Sequence, residues 1–230
     1  KLSLSITQEF PKHQFGWKVL GAVLKQMGKI NESLIVSQKS VQLDPQDAEA
    51  HNNLGVILKE LGKLDEAETS YRKAITLKPD YAEAHYNLGK TLKELGKLDD
   101  AEASYRKTIT LKPGYAEAHY NLGNTLKELG KLDDAEASYR QAITLKPDYA
   151  EAHNNLGITL QELGRLDEAE ASYRQAITLK TDYSEAHYNL GNTLNRLGRL
   201  DDAEASYRKA IALKPDYAEA HNNLGITLKE

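Results

Sequence analysis

Six of the seven histidines, His51, His85, His119, His153, His187 and His221, recur every 34 residues. Imidazoles on a fixed spacing raise the question of metal binding. A transition metal needs three or four ligands converging within about 2 to 2.3 Å, whereas equivalent atoms of stacked helical repeats stand roughly 10 Å apart. Trp17 holds the same slot in the first repeat, so the position reads as packing and no metal is expected. A Ser-His-Asp set is equally indistinct, because every candidate triad would occur about five or six times over. Gly89-Lys90-Thr91 has the look of the end of a phosphate-binding loop, but Ala84 stands where its first glycine is needed. The Asn31-Glu32-Ser33 sequon falls at a helix start and reads as chance. Cysteine is absent, which removes disulfides, thiolate zinc sites and cysteine nucleophiles together. The expectation is a chain without catalysis or cofactor.

What remains is a row of amides. Asn53, Asn87, Asn121, Asn155, Asn189 and Asn223 recur at the sixth position of the repeat. Beside them the fifth position alternates in kind: Asn52, Tyr86, Tyr120, Asn154, Tyr188, Asn222. The second, fifth, sixth, ninth and twelfth positions are spaced by three and four, hence share one helical stripe; Lys59, Lys93 and Lys127 stand at the twelfth. An asparagine amide offers a donor and an acceptor together, the complement of a peptide unit. A regular row could therefore hold an extended chain by its backbone. Equally, each amide could bond to the neighbouring repeat or to water. Both readings stand open at this point.

These residues need helices to position them. A 34-residue stretch close to that of Ala116 to Tyr149 recurs through almost the whole chain without slipping register, the signature of a stacked array. The predicted divisions are residues 14–47, 48–81, 82–115, 116–149, 150–183 and 184–217, with 218–230 as the first helix of a truncated seventh unit. Residues 1–13 read as the remnant of a preceding repeat helix. In each unit a first helix buries the equivalents of Ala118, Leu122, Gly123, Leu126 and Leu129. A second buries those of Ala135, Tyr139, Ala142, Ile143 and Leu145. Gly130 ends the first helix in a left-handed conformation, and Pro147 stops the second. Asp148 with Glu151, and Asp133 with Glu136, have the spacing of capping boxes.

The pattern W-x2-L-G-x2-Y, then A-x3-F, x2-A and P, is that of the tetratricopeptide repeat. The first unit resembles it through Trp17, Leu20, Gly21, Leu24, Ser33, Ser37, Ser40 and Pro45, and the second through His51, Leu54, Gly55, Leu58, Ala67, Tyr71, Ala74 and Pro79. Within the family, the A-H-x-N-L-G runs and the Tyr-Arg of the second helix are similar to the superhelical repeat region of O-linked N-acetylglucosamine transferases and related bacterial proteins. The resemblance implies an all-α, right-handed α-solenoid with thirteen helices from Gln14 onward. It also implies that first helices line a concave groove, where an asparagine ladder grips peptide backbone.

Hydrophobic residues make up 40% of the chain and charged ones 28%, with a net charge of −4; neither a membrane span nor a nucleic-acid surface is indicated. The row Glu49, Glu83, Glu117, Glu151, Glu185 and Glu219 would repel an acidic terminus, so neutral or basic ligands are expected. Two functions follow: a protein or peptide interaction scaffold, or the substrate-recognition arm of a larger enzyme such as a glycosyltransferase. A cytoplasmic location is expected. So is head-to-tail self-association, with Leu224, Ile226 and Leu228 at one end and Leu4, Ile6 and Phe10 at the other.

Overall fold

The computed structural model describes residues 11–229, and these are all-α, with thirteen helices and no strand. The chain forms two compact units. The first, running to Pro113, holds α1 (Gln14–Gln26), α2 (Ile30–Leu43), α3 (Ala48–Glu60), α4 (Leu64–Leu77), α5 (Ala82–Glu94) and α6 (Leu98–Leu111). The second, from Gly114, holds α7 (Ala116–Glu128), α8 (Leu132–Leu145), α9 (Ala150–Glu162), α10 (Leu166–Leu179), α11 (Ser184–Arg196), α12 (Leu200–Leu213) and α13 (Ala218–Thr227). Within each unit, successive helices pair as helix-turn-helix hairpins. Each first helix also packs on the second helix of the preceding hairpin. The expected remnant helix, with Leu4, Ile6 and Phe10, lies outside the described residues.

The turn inside each hairpin rests on one glycine. Gly130 has φ +73°, a conformation that costs an L side chain roughly 1–2 kcal/mol. The Gly130 amide donates to Lys127 O at 3.0 Å and that of Lys131 to Leu126 O at 2.9 Å, closing the end of α7. At the other end of α8, Lys146 is extended, at φ −139° and ψ 86°. The ring of Pro147 imposes this on the residue before it.

Capping differs from expectation. Asp148 lies one residue too early: the N-cap of α9 is Tyr149, which makes no side-chain cap. Only in α3 does an aspartate occupy that slot, and there Asp47 accepts from the amides of Glu49 (2.9 Å) and Ala50 (3.2 Å). Asp133 is likewise displaced, since α8 begins at Leu132 with Lys131 as its N-cap. Its carboxylate sits inside the first turn, where it favours the helix through the macrodipole and not through a cap. Leu145, expected in the core, is 37% exposed at the last turn of α8.

Hairpins close through a glycine set against a tyrosine ring. A Cβ built on Gly123 would stand 2.7 Å from Cε1 of Tyr139, whose side chain is wholly buried. Gly55 and Tyr71, Gly89 and Tyr105, Gly157 and Tyr173, and Gly191 and Tyr207 repeat the contact at 2.6–2.8 Å. Gly123→Ala should therefore destabilise the protein. Overpacking costs about 1–3 kcal/mol against a helix-propensity gain of about 1 kcal/mol. An unchanged urea midpoint would show that the ring moves aside freely.

Candidate functional site

On the first helices of the second unit, the amides are already connected. The asparagines of the sixth position, half-buried, donate backwards to the fifth position of the preceding first helix. Asn155 Nδ2 reaches the Tyr120 hydroxyl at 3.1 Å, Asn189 Nδ2 reaches Asn154 Oδ1 at 3.2 Å, and Asn223 Nδ2 reaches the Tyr188 hydroxyl at 3.3 Å. Asn154 and Asn222 then donate to their neighbours Asn155 (3.2 Å) and Asn223 (3.4 Å). In the first unit Asn87 Nδ2 repeats the pattern onto buried Asn52, at 3.1 Å. One half of each of these amides is thus engaged between repeats. Among the described residues no donor is placed on the side-chain oxygens of Asn87 and Asn189, whose amides bond through Nδ2. Asn53 and Asn121 sit half-buried at the same register, as do Lys93 and Lys127 at the twelfth position. Lys59 is ion-paired with Glu94.

Sequence reasoning missed the ninth position. Asn124 Oδ1 accepts from the Tyr139 hydroxyl and from Asn155 Nδ2, both at 2.8 Å. Asn192 Oδ1 accepts from Tyr207 (2.9 Å) and Asn223 (2.8 Å). The core tyrosine therefore anchors the surface network. Burial pushes the Tyr207 hydroxyl up to about 12, and that of Tyr139 upward too, so both stay protonated donors. Within the second unit the signal was in the sequence: asparagine stands at the ninth position where tyrosine stands at the fifth (Tyr120 with Asn124, Tyr188 with Asn192), whereas in the first unit Tyr86 goes with Lys90. Isoleucine stands there where the fifth is asparagine (Asn154 with Ile158, Asn222 with Ile226).

The histidines have a different task. Their Nε2 atoms face a prolyl carbonyl six residues back: His51 to Pro45 (3.1 Å), His85 to Pro79 (3.1 Å), His153 to Pro147 (3.2 Å) and His221 to Pro215 (2.9 Å). Trp17 Nε1 donates in the same way to Pro11 O at 3.0 Å. The slot thus calls for a ring N–H, which both residue types supply. Burial holds His85, His153 and His187 below the usual imidazole range, favouring the neutral form. Thr181 replaces the proline before His187, and that Nε2 is buried without a partner.

Charge on this face is more balanced than the sequence implied. Glu49 pairs with Lys18 at 2.7 Å, Glu117 with Lys146 at 3.8 Å and Glu151 with Lys180 at 3.7 Å. Lys146 and Lys180 also lie over the Tyr149 and Tyr183 rings, at 4.6 and 4.7 Å from the centroids. Among the described residues no group of three or more His, Asp or Glu is placed to hold a metal ion. None of the helices is long and apolar enough to cross a membrane.

This repeating architecture has close counterparts. The family model of the Cilia and flagella-associated protein 70 C-terminal domain, a tetratricopeptide-repeat model, matches residues 18–230. The chain belongs to this family. Among solved structures this tetratricopeptide domain is similar to YrrB, described as a TPR protein with an unusual peptide-binding site. The identity is 25% over 81% of this chain and 96% of YrrB, with a TM-score of 0.71. It is similar to MamA at 28% identity, over 72% of this chain and 97% of that one, with a TM-score of 0.69. PilF of Pseudomonas aeruginosa shares the fold at 18% identity, over 94% of this chain and 97% of that one, with a TM-score of 0.79. No curated protein matches the sequence. Tetratricopeptide domains are in general protein-interaction modules and typically non-catalytic.

One member of the tyrosine series is unsatisfied. The Tyr71 hydroxyl is buried with no partner, because neither Val56 at the ninth position nor Lys59 at the twelfth offers the acceptor that Asn124 gives Tyr139 and Gln161 gives Tyr173. Val56→Asn should supply the acceptor that Asn124 and Asn192 give their tyrosines. In a double-mutant cycle against Tyr71→Phe, the coupling should be stabilising by about 1 kcal/mol; zero coupling would mean that the new amide turns away.

Proposed function

We propose that the chain is a non-catalytic scaffold whose first-helix faces bind an extended polypeptide segment of a partner protein. The observation that carries this reading is the half-buried amide row, which keeps outward-facing groups after its inter-repeat bonds are made: the oxygens of Asn87 and Asn189 and the Nδ2 groups of Asn124 and Asn192. Half-buried polar groups without partners favour a ligand that supplies both a donor and an acceptor. Peptide backbone does so. With roughly 10 Å between repeats and about 3.3 Å per extended residue, each hairpin would cover roughly three ligand residues. The peptide-binding site named for YrrB supports the reading by likeness.

Glu83, Glu185 and Glu219 are exposed and favour a neutral or basic segment over an acidic tail. A presenting arm within a larger glycosyltransferase is the alternative context for the same groove, and it rests on the A-H-x-N-L-G runs. The cysteine-free composition suits a cytoplasmic setting, and the family description adds association with cilia and flagella. Asn87→Ala combined with Asn189→Ala should weaken selected peptides roughly thirtyfold, at about 1 kcal/mol net for each lost bond. Both substitutions also remove an inter-repeat donor, onto Asn52 and Asn154, so stability is measured beside affinity. Unchanged affinity in a peptide-library screen, with helicity intact by circular dichroism, would show the row to be structural alone.

Self-association is the further part of this reading. Ile226 and Leu228 are 50% and 56% exposed on and just after α13, an apolar surface for a second copy. Light scattering should rise with protein concentration and fall for Leu228→Glu. A strictly monomeric parent at millimolar concentration would exclude it.

A further inference from the structure

We infer that a hollow on the first-helix face of the second unit holds the carboxylate of an aspartate or glutamate side chain of the bound segment. The inference rests on the peptide-groove reading and names one subsite within it. In the first unit, the twelfth position of one first helix pairs with the thirteenth of the next: Lys25 with Glu60 at 3.0 Å, and Lys59 with Glu94. On α9 and α11 the same two positions are Gln161 and Arg196. The cation has lost its place and the anion has been reversed. Among the described residues Arg196 makes no ion pair; its Nη1 donates to the Gln161 backbone carbonyl at 3.4 Å.

Around it is a hollow of about 350 Å³ lined by Gln161, Asn192, Asn195, Arg196, Asn223 and Ile226, among others. None of the lining residues is a carboxylate. Two of the four lining amides, Gln161 and Asn192, are held by their oxygens, whereas Asn195 donates to Thr227 Oγ1 and Asn223 to Tyr188 and Asn192. Gln161 Oε1 accepts from the Tyr173 hydroxyl at 3.2 Å and from Thr193 Oγ1 at 2.9 Å; Asn192 Oδ1 accepts from Tyr207 and Asn223. Gln161 Nε2 and Asn192 Nδ2 are left as donors, alongside the guanidinium. Two amide donors beside a cation that has no ion pair suit an acceptor-only, planar anion, and an ionised carboxylate is that group. Half-exposed Ile226 offers an apolar wall to the methylene stem of such a side chain. The matching hollow of the first unit, at Lys25 and Glu60, has its charges already paired and lacks this preference. A segment basic opposite Glu185 and Glu219 and acidic opposite Arg196 fits the second unit.

A random peptide library panned against the full chain tests the subsite. Selected sequences should show aspartate or glutamate at one position, and Arg196→Glu should replace that preference with lysine or arginine. Binding without an acidic position, or with one that Arg196→Glu leaves untouched, overturns the inference while the groove reading stands. Absence of any selected peptide removes the groove reading, and a second measurement then decides the subsite by itself. In NMR titrations, N-acetyl-glutamate N-methylamide should shift the Arg196 Nε–H and the Gln161 and Asn192 side-chain amides about tenfold more tightly than its glutamine counterpart. Equal response to the two compounds overturns it.

Discussion

A tyrosine ring pressed onto a glycine backbone holds together every hairpin but the first, where Gly21 meets Ser37, and the functional face depends on it. Tyr71, Tyr105, Tyr139, Tyr173 and Tyr207 are at most 1% exposed. A buried aromatic of this size removes on the order of 150–250 Å² from water, a gross gain of roughly 4–6 kcal/mol per hairpin. The contact needs glycine on the first helix, since a methyl group there would overlap the ring. It also sets how near the two helices lie. The ring reaches through to the far face, so its hydroxyl emerges at the floor of the amide row. At Tyr139 and Tyr207 that hydroxyl orients Asn124 and Asn192, which in turn receive Asn155 and Asn223 from the next hairpin. Core packing, stacking of neighbours and the candidate site are thus one connected structure within the second unit.

This connection changes what an asparagine ladder can do. Inter-repeat bonds engage the Nδ2 of Asn87, Asn155, Asn189 and Asn223, so a ligand cannot take both halves of each amide without breaking the stack. Removing one partner from a half-buried network costs more than the net value of the bond, because the remaining group is left unpaired. Ligand contacts therefore fall on the atoms the network does not use, and these alternate in kind along the row: an oxygen at Asn189, N–H groups at Asn124 and Asn192.

Much of the fold was legible because the 34-residue period carries the helix face, the glycine turn and the proline stop together. The tyrosine and glycine positions were visible as large and small residues; that they meet one another was not. Caps were misplaced by one residue at Asp148 and two at Asp133, because a D-x-x-E spacing does not fix where the helix starts: Asp47, one repeat position later than Asp148 and two before its glutamate, caps and Asp148 does not. The row of asparagines was visible, but not the direction of its bonds, since periodicity assigns a residue to a face without saying which neighbour lies opposite. The alternation at the fifth and ninth positions held that information, as a correlation between two positions in place of a pattern at either one.

In a stack of near-identical hairpins, a departure at one position is felt by its neighbour. Tyr71 has Val56 and Lys59 at the positions where Asn124 serves Tyr139 and Gln161 serves Tyr173, and its hydroxyl is left without a partner. His187 differs from His153 by a threonine six residues before it; the Thr181 carbonyl still faces the ring, but Nε2 makes no well-formed hydrogen bond. Arg196 stands where its counterparts are glutamates, beside Gln161 where theirs are lysines, and the face gains an unpaired cation. The first two departures leave buried polar groups, which cost stability and offer a ligand nothing it can reach. The third leaves its charge exposed at the rim of a hollow, where solvent keeps the cost low and an incoming carboxylate finds it accessible. Burial therefore separates the departures that weaken the stack from the one that can give it specificity.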